Sequence, residues 1–360
     1  MAFEALYNRY RPTNFTAVQA QPHITEVLDK QLAEGKLGHA YLFSGSRGIG
    51  KTTIARILAR ALAKDRDIYE LDAASNNSVD DIRALTEGAY TLPFESEHKV
   101  YILDEVHMLS KAAWNAFLKT LEEPPPYAVF ILATTELDKV PETVQSRCQV
   151  FEFRKPTRET LVEVVKNVAK AEGYDLAPDA GELIATLADG SYRDALSILQ
   201  KVLNSYSDEQ LKQENKEAFK GKTHGTRDLG ITRDLVERIT GAPRRTQVHA
   251  LVAAIAAGDR GRALAAVGEA ARADVDMRLF LELVLEALRS TLLIRHAPEL
   301  RDNLAAELGA DEFAALEAFA KEKGVTHVAL LAFLTAAERI RYAPIPALPL
   351  ELAVLELFPE

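Results

Sequence analysis

One stretch of eight residues restricts what this chain can fold into more than any other feature. Residues 45–52 fit G-x-x-x-x-G-K-[S/T] at every fixed position. In such loops the glycines let backbone N–H groups turn inward around phosphate oxygens, and the loop lies between a strand and a helix. The motif therefore predicts an α/β domain that binds ATP. The predicted ATP-binding residues here are Gly45, Ser46, Arg47, Gly48, Ile49, Gly50, Lys51, Thr52 and Thr53.

Hydrophobic patterning around the loop supplies the required strand and helix. Five short apolar runs, at residues 41–43, 68–71, 100–103, 129–133 and 150–153, alternate with segments of helical periodicity. This alternation is typical of a parallel sheet covered by helices. We therefore predict a nucleotide-binding α/β domain over residues 1–155, with a parallel five-stranded sheet between helices.

The strand pattern ends at Pro156. Residues 156–241 predict a small helical domain, and residues 242–360 predict an all-helical domain rich in Ala and Leu. Within the first of these, residues 205–230 are polar and interrupted by glycines, which predicts a loop or frayed insertion.

Composition excludes several kinds of site. The formal net charge of −10 argues against a broadly basic surface, so contacts with nucleic acid must be local or shared with partner subunits. The single cysteine, Cys148, allows neither an internal disulfide nor a cysteine zinc site. The sequence has no signal-peptide pattern and no uncharged apolar run of membrane-spanning length. We therefore expect a cytoplasmic protein without a membrane partner.

Polar residues follow two of the predicted strands. Asp104 and Glu105 end an apolar run. Burying a charge there costs desolvation free energy, so two carboxylates at this position indicate a function. At the carboxyl end of a parallel strand they face the phosphate loop, so we expect Asp104 to hold Mg²⁺ together with Thr52, and Glu105 to polarise the attacking water. Thr135 is our first choice for a side chain that senses the water or the γ-phosphate, and Thr134 is the second.

Taken in order, these motifs resemble the gamma/tau subunits of bacterial DNA polymerase III, the AAA+ ATPases of the clamp loader. The likeness covers the first two predicted domains almost fully and returns near the C-terminus. It is carried by residues 6–12, 39–45, 71–79, 104–110, 118–125, 133–136, 146–148, the segment around Arg193, and 348–353. The resemblance implies an AAA+ module, a helical lid, and a collar through which subunits assemble in a gapped ring.

The resemblance also implies roles for residues that nothing local distinguishes. Arg147, in Ser-Arg-Cys, would be the arginine finger that completes a neighbour's ATP site. Arg193 would be the lid sensor that reads the γ-phosphate. Tyr10 and Arg11 would lie near the adenine base.

The implied partners are further copies of the chain, the delta and delta-prime subunits, the sliding clamp and primed DNA. ATP binding would let the ring open the clamp, and primed DNA would trigger hydrolysis. Arg83 and Lys111 are the expected DNA contacts, with the alternative that both are ordinary solvated charges.

Two departures from the family pattern are visible. The family usually carries a four-cysteine zinc module after the phosphate-loop helix, whereas residues 63–67 here join that helix directly to the second strand, so no zinc is expected. The usual Val-Gly-Gln near the N-terminus reads Val-Gln-Ala-Gln over residues 18–21, which leaves the base contacts open. In length the chain is gamma-like, and we expect that the tail domains of a tau form are either absent from the protein or have been removed from this sequence.

Other classes of protein share some of these motifs. A branch-migration or remodelling ATPase would share the phosphate loop and the carboxylates, but would leave Ser-Arg-Cys unexplained. A non-enzymatic delta-prime-like subunit typically has a degraded phosphate loop, which this chain does not. A helicase would share Asp-Glu-x-His but would need a second motor domain. His107 itself is expected to be structural.

Overall fold

A computed structural model of the protein describes residues 4–205, 230–273, 275–308 and 310–358. The polar segment predicted at 205–230 therefore lies almost entirely outside the described residues. The chain divides into two compact units: unit 1 comprises Met1–Val164 and Ala188–Ser197, and unit 2 comprises Val165–Leu187 and Ile198–Glu360. The division into three domains stays a prediction.

The sheet of unit 1 has five parallel strands in the order β2-β3-β4-β1-β5. Its strands are β1 (Ala40–Ser44), β2 (Ile68–Asp72), β3 (Lys99–Asp104), β4 (Ala128–Thr134) and β5 (Gln149–Glu152). Each predicted apolar run overlaps one strand, so the predicted sheet is confirmed. Because β3, β4 and β1 are neighbours, their carboxyl ends meet at one edge.

Helices cover both faces of this sheet. They are α1 (Leu6–Arg9), α2 (Pro22–Glu34), α3 (Lys51–Leu62), α4 (Val79–Ala89), α5 (Lys111–Glu122), α6 (Glu142–Gln145) and the first part of α7 (Arg158–Ala171). Successive strand residues point to opposite faces. In β4, Val129 and Ile131 therefore join the core under α2 and α3, whereas Phe130 and Leu132 join the core under α4 and α5.

Unit 2 is helical, as predicted. Its helices are α8 (Pro178–Leu187), the end of α9 (Tyr192–Ser205), α10 (Arg233–Thr240), α11 (Arg245–Ala256), α12 (Arg260–Arg272), α13 (Met277–His296), α14 (Arg301–Leu308), α15 (Ala310–Lys321), α16 (His327–Ile340) and α17 (Leu348–Leu357). Phe280 and Leu288 of α13 lie in the core with Phe333 of α16. A two-residue pair, β6 (Asp175–Leu176) with β7 (Gly230–Ile231), was not predicted, because two residues show no alternation. Among the described residues, no helix is long and apolar enough to cross a bilayer.

A cluster of charged side chains joins four helices of unit 2. Arg245 contacts Asp179 of α8 at 2.6 Å and Glu312 of α15 at 3.0 Å. His249 reaches the other oxygen of Glu312 at 3.0 Å. The backbone N–H of Arg245 donates to Glu237 of α10 at 3.1 Å. Every charge in this cluster therefore has a partner of opposite sign or a hydrogen-bond donor.

Candidate nucleotide-binding site

The phosphate loop runs from the end of β1 to the first residue of α3. Gly48 has φ +75°, and a Cβ atom there would collide with the hydroxyl of Ser191. Gly45 has φ +139°, and a Cβ atom there would lie 2.9 Å from the carbonyl oxygen of Phe153. Only glycine fits these positions, so the spacing of glycines in the motif follows from the packing of the loop.

Lys51 is buried at the start of α3, with 6% of its surface exposed. Its Nζ donates to the carbonyl oxygens of Gly45 at 2.6 Å and Ser46 at 2.8 Å. Burial lowers the pKa of Lys51, and the nearby carboxylates of Glu105 and Asp104 oppose that effect. The loop thus holds a largely desolvated cation against neutral acceptors.

The carboxylates predicted at the end of β3 lie against this loop. Thr52 Oγ1 donates to Asp104 Oδ2 at 2.8 Å, and the backbone N–H of Glu105 donates to Asp104 Oδ1 at 3.0 Å. Glu105 has φ +50°, a left-handed conformation that is strained for any residue with a Cβ. The structure therefore brings the predicted metal ligands together and fixes the backbone of the predicted base beside them.

Residues from the end of β4 reach the same place. Thr135 Oγ1 donates to Glu105 Oε2 at 3.0 Å. His107, from the turn after Glu105, places its Nδ1 3.3 Å from that same oxygen and 3.2 Å from Thr134 Oγ1. Both threonines of the predicted sensor pair are therefore close to Glu105, one directly and one through the imidazole.

Arg193 lies beside the phosphate loop, although the family resemblance implies a place in the helical lid. The backbone N–H of Tyr192 donates to Gly48 O at 3.0 Å, and Arg193 Cβ lies 3.5 Å from where a Cβ of Gly48 would be. The Arg193 guanidinium lies 5.4 Å from the ring centre of Tyr7. Tyr7 is absent from the predicted site residues, although it stands in the same N-terminal motif as Tyr10 and Arg11.

Arg147 lies away from the phosphate loop of its own chain. Its Nη2 donates to Glu122 Oε1 at 2.6 Å and its Nη1 donates to Thr143 O at 2.6 Å. Glu122 is also absent from the predicted site residues, although it stands in the Leu-Glu-Glu-Pro segment that carries part of the resemblance. The structure does not bring Arg147 together with Lys51 and Glu105.

The remaining predicted residues have local contacts. Arg11 donates to Asn8 Oδ1 at 3.0 Å, and the Arg9 guanidinium lies 5.3 Å from the ring centre of Tyr10. Arg83 of α4 pairs with Asp80 at 3.2 Å. Lys111 is exposed at the first position of α5.

The helices that carry Arg83 and Lys111 begin side by side. The backbone N–H of Ser110, which caps α5, donates to Asn77 O just before α4 at 3.3 Å. Two helix N-termini therefore meet at this surface, an arrangement that suits anions.

Comparison with known proteins places this site in a family. The family model described as DNA polymerase III, delta subunit, matches residues 20–77 and 64–157, and the model for domain III of DNA polymerase III subunits gamma and tau matches residues 231–359. The tau subunit of Salmonella typhimurium is 32% identical over 339 residues, covering 88% of this chain and 48% of that protein. The chain belongs to the DNA polymerase III gamma/tau family.

A second relative of this gamma/tau chain is the tau subunit of Bacillus subtilis. It is 44% identical over 237 residues, which cover 60% of this chain and 42% of that protein. The chain thus spans about half the length of the curated relatives that it matches.

Among solved structures, the RuvB Holliday junction branch migration motor of Thermotoga maritima is similar in fold. It is 22% identical, with a TM-score of 0.52, covering 68% of this chain and 79% of that one. At this identity the likeness concerns the fold alone. The AAA+ fold expected of a gamma/tau relative is confirmed.

Proposed function

We propose that this gamma/tau-family chain is the ATP-hydrolysing motor subunit of a DNA polymerase III clamp loader in the cytoplasm. It uses ATP to open a sliding clamp and load it on primed DNA. The observation that carries the proposal is that an intact phosphate loop and two carboxylates lie at the same edge of the sheet. Lys51 lies in the loop, and Thr52 contacts Asp104 at 2.8 Å beside Glu105.

Binding of ATP would depend on the loop and on the start of α3. The backbone N–H groups of the loop and the positive end of the helix suit phosphate oxygens, and Lys51 supplies the cation for the β- and γ-phosphates. Arg193, which packs beside Gly48, is well placed to read the γ-phosphate. Tyr10 and Arg11 would line the base, next to Tyr7.

The residues at the end of β3 fit a Mg²⁺ ion. A hydroxyl and a carboxylate oxygen, which Thr52 and Asp104 bring to 2.8 Å of each other, are the hard oxygen ligands that Mg²⁺ takes beside nucleotide phosphates. When bound, the ion would be held by Thr52 and Asp104 and would supply positive charge that neutralises the phosphates. No structural zinc is expected, which elemental analysis of the purified chain can test.

Hydrolysis would need Glu105 and a neighbouring subunit. Glu105 orients water and accepts its proton, and Thr135 holds the carboxylate in place. Arg147, which contacts no part of its own phosphate loop among the described residues, would complete the site of an adjacent copy in a gapped ring with delta and delta-prime. Arg83 and Lys111 would meet the DNA backbone from the paired starts of α4 and α5.

A branch-migration motor remains the second candidate, because the RuvB fold is shared. The sequence favours the clamp loader, since Ser-Arg-Cys and the Leu-Glu-Glu-Pro segment are motifs of the gamma/tau relatives.

The deciding experiment measures ATP turnover with and without primed DNA plus sliding clamp. We expect turnover to rise when both are added. Lys51→Ala should lose ATP binding by calorimetry, whereas Lys30→Ala, which changes an exposed lysine of α2, should not. Glu105→Gln should bind ATP and hydrolyse it very slowly. Turnover that responds to branched DNA instead of clamp and primed DNA would favour the second candidate.

A further inference from the structure

His107 has no role in the function proposed above, yet its imidazole is largely enclosed beside Glu105. Only 9% of its side chain is exposed. Its Nδ1 faces Glu105 Oε2 at 3.3 Å and Thr134 Oγ1 at 3.2 Å, and its Nε2 lies 3.4 Å from Glu136 Oε1. The ring therefore lies between the carboxylate at the end of β3 and the loop that follows β4.

That loop is itself held firmly. The hydroxyl of Thr134 accepts from Glu136 N at 3.0 Å and lies 3.1 Å from Glu136 O. The Glu136 carboxylate pairs with Lys139 at 2.7 Å. Glu136 Oε1 and Thr134 Oγ1 thus lie beside the two different nitrogens of the imidazole.

The two oxygens of the Glu105 carboxylate have different surroundings. Oε2 contacts both Thr135 at 3.0 Å and His107 at 3.3 Å. Within the described part of the chain, the structure gives Oε1 no hydrogen bond. Because one oxygen of this carboxylate is held and the backbone is at φ +50°, the other oxygen points in a single direction. A base that accepts a proton from one bound water molecule requires such an orientation.

We propose that His107 is a positioning residue for hydrolysis, which holds Glu105 Oε2 through Nδ1 and so aims Oε1 at the attacking water. This inference rests on the proposed role of Glu105 as the base. It also places the loop after β4 beside the base, because Glu136 Oε1 lies 3.4 Å from the other nitrogen of the same ring.

Three substitutions separate positioning from space filling. Asn at 107 can place an amide nitrogen where Nδ1 lies, whereas Gln reaches the place of Nε2 and Phe only fills the volume. In the full-length chain with clamp and primed DNA, His107→Asn should keep most of the turnover. His107→Gln and His107→Phe should lower kcat by up to about a hundred-fold while the Kd for ATP stays nearly constant. His23→Gln, which changes a histidine bonded to Glu152 O at 3.1 Å, is the control.

A second readout needs neither ATP nor turnover. With ¹⁵N-labelled histidine in the nucleotide-free chain, Glu105→Gln and Glu136→Gln should each shift the imidazole resonance of His107, whereas Glu122→Gln should not. Unshifted resonances would show that the contacts do not exist and would overturn the proposal.

The kinetic outcomes are equally distinct. Equal turnover in the Asn, Gln and Phe variants overturns the positioning role, as does a fall in kcat that tracks a loss of thermal stability. If Glu105→Gln itself hydrolyses ATP at the normal rate, the proposed base is wrong, and that failure is visible independently of any His107 variant.

Discussion

Two buried ionic clusters, one in each unit, differ in how their charges are partnered. In unit 2, Arg245 contacts Asp179 at 2.6 Å and Glu312 at 3.0 Å, so its charge is neutralised within the protein. In unit 1, Lys51 is more enclosed than Arg245 but donates to two loop carbonyls rather than to a carboxylate. Arg245 thus has carboxylates in direct contact, whereas Lys51 has carboxylates nearby but, among the described residues, none in direct contact.

Backbone strain follows the same division. Among the described residues, the three that have a side chain and a positive φ are Ala20, Glu105 and Asp189, and all lie in unit 1. In unit 2 the positive φ angles, at residues 173, 241 and 258, belong to glycines, for which they carry no cost. Strain in a protein tends to collect at functional sites, so unit 1 combines strained backbone with a buried cation that, among the described residues, has no direct ion pair.

The largest expected effect comes from Arg147, whose charge serves another subunit in the proposed ring. Arg147→Ala should bind ATP almost normally, yet turnover in the assembled ring should fall by about three to five orders of magnitude. Arg60→Ala, which changes an exposed arginine of α3, is the matched control.

Mixing gives the sharper test of Arg147. In a mixed ring, the Arg147→Ala chain supplies an intact phosphate loop and a neighbouring Lys51→Ala chain supplies an intact Arg147. Mixtures whose subunits exchange should therefore regain ATP hydrolysis. Activity no greater than the sum of the two parents would show that the arginine does not act in trans.

The next effect concerns the paired cluster of unit 2. Arg245→Met removes the cation that neutralises Asp179 and Glu312, and breaking a buried pair from one side costs about 3 kcal/mol. We expect a loss of that size in the free energy of unfolding, measured in urea, with the Kd for ATP unchanged in the folded protein. Arg272→Met, at an exposed position of α12, should change neither quantity. An Arg245→Met chain that keeps its free energy of unfolding but binds ATP more weakly would show that the unit 2 cluster serves ATP binding rather than stability.

Sequence reasoning reached the site because its elements are local. The spacing of residues 45–52, the carboxylates after β3 and the apolar run of β4 can each be recognised within a few positions of the sequence. The contacts of the predicted arginines join distant segments: Arg193 lies beside Tyr7 at the phosphate loop, and Arg147 pairs with Glu122 away from that loop. Helical periodicity predicts that residues 188–197 belong to the lid. Their contacts with Gly48 instead place them in unit 1. The prediction missed this because periodicity carries no information on which hydrophobic core a helix end joins.

A smaller effect concerns a buried charge of unit 1 that backbone N–H groups stabilise. Asp67 is buried at the short junction where the family usually carries zinc, and its carboxylate accepts from the backbone N–H groups of Phe94, Glu95 and Ser96. Burial alone would raise the pKa of Asp67, but these hydrogen bonds outweigh it and lower the pKa to about 2.

Because the folded pKa of Asp67 lies below the unfolded value of about 4, its contribution to stability is complete above that value. The contribution is lost as the pH falls towards 2. Asp67→Asn should therefore be less stable than the wild type at pH 7, with the difference shrinking below about pH 4. Asp65→Asn, at an exposed position of the same turn, is the control. A difference that stays constant from pH 7 to about pH 3 would contradict the assignment.

The smallest effect concerns strain away from the catalytic groups. Ala20 has φ +60°, where a Cβ costs about 1 kcal/mol, and it precedes Gln21, which is buried. The Gln21 side-chain amide donates to Arg154 O at 2.7 Å and accepts from Arg154 N at 3.1 Å, so these contacts hold the strained residue in place.

Ala20→Gly relieves the strain but makes the unfolded chain more flexible, so we expect a net gain of at most about 1 kcal/mol in the free energy of unfolding. Ala17→Gly, in the short 3₁₀ turn just before it, meets no strain and should instead lose about 0.5–1 kcal/mol. Opposite signs of the stability change in urea denaturation, with unchanged ATP affinity in both variants, would distinguish the strain at Ala20, which concerns the fold, from the strain at the proposed base Glu105. A loss of the same size in both variants would show that the backbone at Ala20 is not strained.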